Sequence, residues 1–120
     1  MQVKDKTVTI IGAGIGGLTA AIALRRQGAH VTVLEQAEAI SEVGAGLQVT
    51  PNGLAVLKAL DLAEDLAWCS QRARAVVLRS HARSDEVLRL DLEQYASDLR
   101  YYFVHRSDLI GMLADAARRA

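Results

Sequence analysis

Apolar and polar positions in the first 35 residues predict a strand, a helix and a second strand. The apolar, β-branched run Thr7–Ile11 is typical of a strand. Over residues 15–27 apolar side chains recur at helical spacing, and Gly28 follows as a stop signal. A second apolar run predicts a strand over residues 31–35. Two similar strands joined by a helix are expected to be parallel and adjacent.

Next along the chain, the pattern predicts a short extended piece and two helices. Leu47, Gln48 and Val49 form the extended piece. Thr50 is the expected N-cap of the following helix, with Pro51 at its first position. A second short helix is expected at about residues 62–68.

The last third of the chain predicts a hairpin, a strand and a helix. Two strand-like runs, at residues 75–79 and 87–90, flank a polar turn and indicate an antiparallel hairpin. Another extended run covers residues 101–105. Ser107 and Asp108 are then expected to cap a final helix.

Together these elements predict an α/β fold, the N-terminal portion of a Rossmann-like fold with an inserted antiparallel hairpin. We expect the 120 residues to form one incomplete dinucleotide-binding domain. Its expected parts are a βαβ unit at 7–35, a motif loop with helices at 44–68, a hairpin at 75–91, and a strand and helix at 101–120. Two parallel strands cannot cover their own faces and edges. We therefore expect a longer protein, and self-association of this chain through exposed strand edges.

A glycine-rich turn between the first strand and the first helix carries the main chemical signal. Gly12, Gly14 and Gly17 form a Gly-x-Gly-x-x-Gly motif, and Gly16 lies in the same run. Gly12 lets the chain turn off the strand, Gly14 lets a pyrophosphate approach the backbone, and Gly17 lets the helix lie close to the strand. N–H groups at the helix start then point at the phosphates.

An acidic residue at the end of the second predicted strand limits which dinucleotides can bind. Glu35 lies eighteen residues after Gly17. A carboxylate there can accept both hydroxyls of a ribose and would repel a 2′-phosphate, which disfavours NADP. The alternative, a tight turn that binds nothing, is less favoured because the whole unit matches and not only the glycines.

Composition and charge limit the classes of partner, the compartment and the cofactors that are expected. Apolar residues make up 51% and charged residues 23%, which argues against disorder. Fourteen basic residues balance fourteen acidic ones, so neither nucleic acid nor a membrane is an expected partner. Cys69 is the only cysteine, which favours a reducing compartment, the cytoplasm. The three histidines are scattered, and no metal site is expected.

Three motifs in this order resemble the single-component FAD-dependent aromatic hydroxylases, above all the salicylate hydroxylase and 3-hydroxybenzoate 6-hydroxylase branch. They are the glycine unit ending at Glu35, the segment Gly-Ala-Gly-Leu-Gln-Val-Thr-Pro-Asn at residues 44–52, and His-Arg-Ser-Asp-Leu at residues 105–109. The resemblance covers nearly the whole chain. The Asp-Gly and Gly-Asp motifs that complete the FAD site in this family do not occur in these 120 residues.

The resemblance implies an FAD site and a redox reaction. Gly12, Gly14 and Gly17 would hold the pyrophosphate and Glu35 the adenosine ribose. Arg106 would contact the phosphate or ribityl chain, and its position just ahead of a helix start suits an anion. Three further residues would pass near the isoalloxazine ring: Gly46, Leu47 and Gln48. NADH or NADPH would reduce the flavin, and a small phenolic or benzoate-type aromatic would be hydroxylated.

Other readings of the same residues stay open. A non-catalytic module that binds NAD or another nucleotide also explains residues 12–35, but not the motifs at 44–52 and 105–109. A chain that keeps the glycine motif but binds no cofactor is a further reading. We expect the 120 residues alone to hydroxylate nothing, and no catalytic residue is predicted within them.

Overall fold

The computed structural model describes residues 3–40 and 44–120. Those residues form seven strands and five helices. In chain order they are β1 (Thr7–Ile11), α1 (Ile15–Arg26), β2 (His30–Leu34), β3 (Gly46–Val49), α2 (Pro51–Ala59), α3 (Ala63–Cys69), β4 (Ser70–Arg72), β5 (Ala75–Arg79), β6 (Glu86–Asp91), α4 (Leu92–Tyr95), β7 (Tyr102–His105) and α5 (Arg106–Arg119). The strands form a parallel pair and two antiparallel sheets. The predicted α/β fold with an antiparallel hairpin is confirmed.

The parallel βαβ unit forms as the apolar pattern predicts. β1 pairs with β2 in parallel, with Thr7 opposite His30 and Ile11 opposite Leu34. Every second residue of both strands is half-buried and the others are exposed. β2 begins and ends one residue earlier than predicted, so Glu35 comes directly after the strand. Gly28 has a φ of +86°, which ends the crossover after α1, as expected of glycine in this position.

A three-stranded antiparallel sheet in the order β3-β7-β4 is the main feature that the sequence did not predict. Gly46 lies opposite His105, and Val49 lies opposite Tyr102. Ser70 of β4 lies opposite Val104 on the other side of β7. The local pattern predicted β3 and β7 but not their pairing, because paired strands are far apart in sequence. It did not predict the three-residue strand β4 at all. This sheet brings the two later motifs side by side.

The starts of two helices differ in detail from the predicted caps. Thr50 is the N-cap residue of α2 and Pro51 its first residue, but the Thr50 hydroxyl donates to the Asn52 side-chain oxygen rather than accepting from the backbone. The prediction that Ser107 and Asp108 cap the final helix is wrong. β7 runs directly into α5, and His105 is the N-cap residue. Because β7 holds His105 extended, the helix begins at the next residue and includes both predicted caps in its first turn.

The core lies between the helices and the antiparallel sheet. Leu66 and Leu113 are fully buried, and Leu18 is 2% exposed. Burying one such leucine contributes about 1.5–3 kcal/mol. This packing holds α1, α3 and α5 together and so fixes where the first turns of α1 and α5 lie. None of the helices in the described residues is long and apolar enough to cross a membrane.

The hairpin of β5 and β6 has one apolar face. Val76 lies opposite Leu90, and Leu78 lies opposite Leu88. These four side chains are between 44% and 62% exposed. The predicted hairpin is therefore present, with its apolar cross-strand pairs open to solvent.

Candidate dinucleotide-binding site

The glycine turn follows β1 and is hydrogen-bonded to the end of β2. Gly12 has a φ of +98°, a backbone conformation that favours glycine. Its N–H donates to the Leu34 carbonyl oxygen at 2.7 Å. A Cβ on Gly17 would lie 2.0 Å from the Gly12 carbonyl oxygen, so the first turn of α1 touches the backbone of the glycine turn. The close approach expected at Gly17 is therefore present.

The start of α1 offers backbone donors to an open space. Gly14 is the N-cap residue and has no side chain with which to cap the helix. Leu18 donates its N–H to the Gly14 carbonyl at 2.9 Å. The N–H groups of Ile15, Gly16 and Gly17 therefore lie in the first turn, where a helix has no carbonyl of its own to offer them. A Cβ on Gly14 or Gly16 would meet no described atom within 4 Å.

Glu35 is bound to the backbone on both sides. Its Oε2 accepts the Ala13 N–H at 2.7 Å, and its Oε1 accepts the Ala37 N–H at 2.9 Å. The bond from Ala13, followed by that from Ala37, lowers the pKa of Glu35 below its usual value. The carboxylate is thus ionised at neutral pH. The bond from Ala13 was not predicted from the sequence, although parallel pairing of Ile11 with Leu34 puts the turn and the acid side by side.

A cavity of about 180 Å³ lies between the glycine turn and Glu35. It is lined by Ala13, Gly14, Glu35, Ala37, Ala39, Ile40 and Ile110. Among the described residues of this lining, Glu35 is the only charged one, and Ile110 contributes from α5. The structure therefore brings the predicted glycine turn and the predicted acid to a single cavity.

Arg106 is the first residue of α5 and packs against the motif at residues 44–52. Its N–H donates to the Ala45 carbonyl at 3.3 Å. A Cβ on Gly44 would lie 3.3 Å from both Cβ and Cδ of Arg106, so the aliphatic part of the arginine covers this glycine. Arg106 precedes Ile110 by about one helical turn. The arginine therefore begins the helix that closes the cavity beside Gly14.

A second cavity, of about 340 Å³, lies on the other side of the α1 start. Leu47 and Gln48 of β3 line it together with Ile15 and Thr19 of α1. Gly46 begins the same strand. Because Gly14 lines the first cavity and Ile15 the second, the two cavities flank the N-terminus of α1. An elongated ligand with a phosphate group at this helix start could extend from Glu35 on one side to β3 on the other.

Comparisons with known proteins find a nucleotide-binding family model and relatives named as monooxygenases or hydroxylases of aromatic compounds. A family model described as an NAD(P)-binding Rossmann-like domain matches residues 10–44. The chain is 40% identical over 109 residues to 3-amino-4-hydroxybenzoate 2-monooxygenase of Streptomyces cremeus, covering 88% of this chain and 28% of that protein. It is 33% identical over 118 residues to 3-hydroxybenzoate 6-hydroxylase 1 of Aquipseudomonas alcaligenes, covering 93% of this chain and 29% of that protein.

A solved structure agrees with these relatives. The tetrameric form of 2-methyl-3-hydroxypyridine-5-carboxylic acid oxygenase matches with a TM-score of 0.85 and 29% identity, covering 97% of this chain and 30% of that one. The chain is therefore homologous to the N-terminal part of the FAD-dependent aromatic hydroxylases, and the predicted resemblance is confirmed. It spans less than a third of the length of the relatives described here.

Proposed function

We propose that these 120 residues form an incomplete FAD-binding domain. The glycine turn and Glu35 meet at one cavity, and this observation carries the proposal. A ribose needs an acceptor for its hydroxyls, and a pyrophosphate needs donors. Glu35 and the glycine turn at the start of α1 offer both at the same cavity. The proposed FAD-binding residues are Gly12, Gly14, Gly16, Gly17, Glu35, Gly46, Leu47, Gln48 and Arg106.

Each part of this site has a distinct proposed role. The first-turn N–H groups of α1 would bind the pyrophosphate, helped by the positive end of the helix dipole. The Glu35 carboxylate would accept the ribose hydroxyls, and its negative charge would exclude a 2′-phosphate. The Arg106 guanidinium would hold phosphate oxygens or the ribityl chain with two parallel hydrogen bonds. The cavity lined by Leu47 and Gln48 would accept the part of FAD that leads to the isoalloxazine ring.

We further propose that a protein carrying this chain, together with the remainder found in its relatives, hydroxylates a small phenolic or benzoate-type aromatic. The support is similarity to monooxygenases named for such substrates. When FAD is bound, its isoalloxazine supplies the redox chemistry: NADH or NADPH is oxidised, one atom of dioxygen enters the aromatic ring of the substrate, and the other is reduced to water. This chain's own residues would bind and orient the cofactor. The 120 residues alone are expected to hydroxylate nothing.

Titration of the purified chain with FAD, ADP, NAD and NADP tests the cofactor proposal. Isothermal calorimetry should detect FAD and ADP, since both carry the pyrophosphate and an adenosine ribose without a 2′-phosphate. NADP should bind at least about tenfold more weakly than NAD, because each 1.4 kcal/mol of charge repulsion is a factor of ten. Binding of NAD with no response to FAD or ADP would contradict the proposal and favour a non-catalytic nucleotide-binding module.

That module remains the second candidate function. The match of residues 10–44 to an NAD(P)-binding Rossmann-like domain favours it. Gly46, which begins β3, and Arg106 lie outside this match and are better explained by the flavoprotein proposal.

We also propose that the chain self-associates through exposed strand edges. β1-β2 and β5-β6 are two-stranded sheets in the described structure, which leaves an outer edge on every one of these strands. The apolar face defined by Val76, Leu78, Leu88 and Leu90 adds a surface that association would bury. Analytical ultracentrifugation should show concentration-dependent oligomers, and Leu88→Lys should reduce them. A monomer at every concentration would contradict this proposal.

We propose the cytoplasm as the compartment. The support is the lone Cys69, which is half-buried and unpaired. Fractionation of cells that express the native protein, with detection by antibody, tests this directly.

A further inference from the structure

We infer that Glu35 is a positioning residue that closes the glycine turn before any ligand arrives. This inference rests on the proposed function, because it assigns a second role to the acid of the dinucleotide site. The carboxylate would do two things at once. It would hold the backbone of the turn in place, and it would present its remaining acceptor positions to the ribose.

The geometry ties the turn to β2 twice. Gly12 donates its N–H to the Leu34 carbonyl oxygen at 2.7 Å. The next residue, Ala13, donates its N–H to Oε2 of Glu35, also at 2.7 Å. Consecutive amides of the turn are therefore held by consecutive residues at the end of β2, one through backbone and one through a side chain. These two hydrogen bonds restrain the peptide group between Gly12, whose φ is positive, and Ala13.

The same carboxylate also fixes the segment that follows β2. Its other oxygen, Oε1, accepts the Ala37 N–H at 2.9 Å. The glycine turn and the segment after β2 both form walls of the smaller cavity, through Ala13 and Ala37 respectively. Glu35, which also lines this cavity, thus joins the two walls through its hydrogen bonds. A ligand that enters meets walls that are already in position, which lowers the ordering cost of binding.

The chemistry allows both roles together. An ionised carboxylate has about four lone-pair sites, two on each oxygen. The bonds from Ala13 and Ala37 use one site on each oxygen. One site on each oxygen remains for a hydroxyl donor. Two neighbouring ribose hydroxyls can therefore bind without displacing either backbone bond.

Side-chain length and charge separate the two roles experimentally. Glu35→Ala removes all acceptors. Glu35→Gln keeps the length, but its single oxygen can serve only one of the two N–H groups, and its NH2 faces the other. Glu35→Asp keeps the charge but is one carbon–carbon bond shorter, so it cannot reach both Ala13 and Ala37. Glu38→Gln is the matched control, since Glu38 is an exposed acid on the same segment.

Amide hydrogen exchange of the chain without nucleotide, resolved by NMR, tests the inference. We expect exchange at Ala13 and Ala37 to accelerate by about tenfold or more in Glu35→Ala, because a local opening no longer has to break these bonds. Glu35→Gln should accelerate one of the two amides, and Glu35→Asp should fail to restore Ala13. Glu38→Gln should leave both unchanged. A purely general loss of stability would instead accelerate amides across β1, α1 and β2 equally.

The outcomes separate this inference from the cofactor proposal. Unchanged exchange at Ala13 in both Glu35→Ala and Glu35→Gln would overturn the positioning role, even if the wild-type chain binds FAD and ADP. Acceleration at Ala13 and Ala37 in a chain that binds neither ligand would support the positioning role and overturn the FAD site. If Glu35→Ala does not fold, Glu35→Gln decides alone, because it keeps the size of the side chain. Acceleration at Ala13 or at Ala37 would then support the positioning role, and unchanged exchange at both would overturn it.

Discussion

The first turn of α1 lies against the backbone of Gly12 so closely that a Cβ on Gly17 would be 2.0 Å from the Gly12 carbonyl oxygen. The obstacle is backbone and not the tip of a flexible side chain. No rotamer change can relieve the overlap, so the helix or the turn must shift. Because the glycine turn also carries the proposed phosphate donors, such a shift would affect both stability and binding.

We therefore expect Gly17→Ala to lower the free energy of unfolding by about 3 kcal/mol, the upper end of what overpacking typically costs. Gly16→Ala is its matched control, since a Cβ there meets no described atom within 4 Å. That variant should stay within about 1 kcal/mol of wild type, because alanine favours the helix. Urea denaturation followed by circular dichroism measures both. Equal stability of the two variants would contradict the close contact at Gly17.

Gly14→Ala should separate binding from stability. Gly14 has a φ of −74°, which alanine adopts without strain, and its added Cβ would point into space free of described atoms. We expect stability within about 0.5 kcal/mol of wild type, as for a typical surface change. FAD and ADP should bind about tenfold or more weakly, since the methyl group would occupy the pyrophosphate position. Gly111→Ala, inside α5, should leave binding unchanged and raise the free energy of unfolding by up to about 1 kcal/mol, because alanine favours a helix interior. Wild-type affinity in Gly14→Ala would remove the proposed role of this glycine.

Arg106→Ala should weaken FAD binding by about 1.5–3 kcal/mol, the usual worth of a hydrogen bond to a charged group. Arg106→Lys should recover part of this loss, since lysine keeps the charge but lacks the planar fork. Arg119→Ala, at the exposed end of the same helix, serves as the control. Calorimetric titration with FAD at two salt concentrations measures the effect. A loss below about 0.5 kcal/mol for Arg106→Ala would identify the arginine as an ordinary surface residue.

The Glu35 carboxylate should make the chain less stable in acid. Hydrogen bonds from Ala13 and then Ala37 lower its pKa in the folded state. A lowered folded pKa contributes stability that is present above the unfolded pKa, about 4.3 for glutamate, and is lost as the pH falls through the folded value. The urea midpoint of wild type should thus drop further than that of Glu35→Gln between pH 7 and pH values below about 4.3. Parallel pH curves for the two proteins would contradict this prediction.

Local sequence determined the elements around the glycine turn. The predicted β1 matches the observed strand, and α1 and β2 differ from their predictions by a single residue at their ends. This agreement has a physical reason, because apolar periodicity and glycine stops act within a few residues of the chain. The hairpin of β5 and β6 follows from the same local rules.

Tertiary structure alone decided how distant segments meet. Gly46 pairs with His105 across nearly half the length of the chain, and this pairing starts α5 at Arg106 and not after Ser107. The bond from Ala13 to Glu35 likewise joins residues that are 22 positions apart. The sequence by itself determined which residue types were present for a dinucleotide site. Only folding brought these donors and acceptors within hydrogen-bonding distance, because such bonds depend on position in space and not on order along the chain.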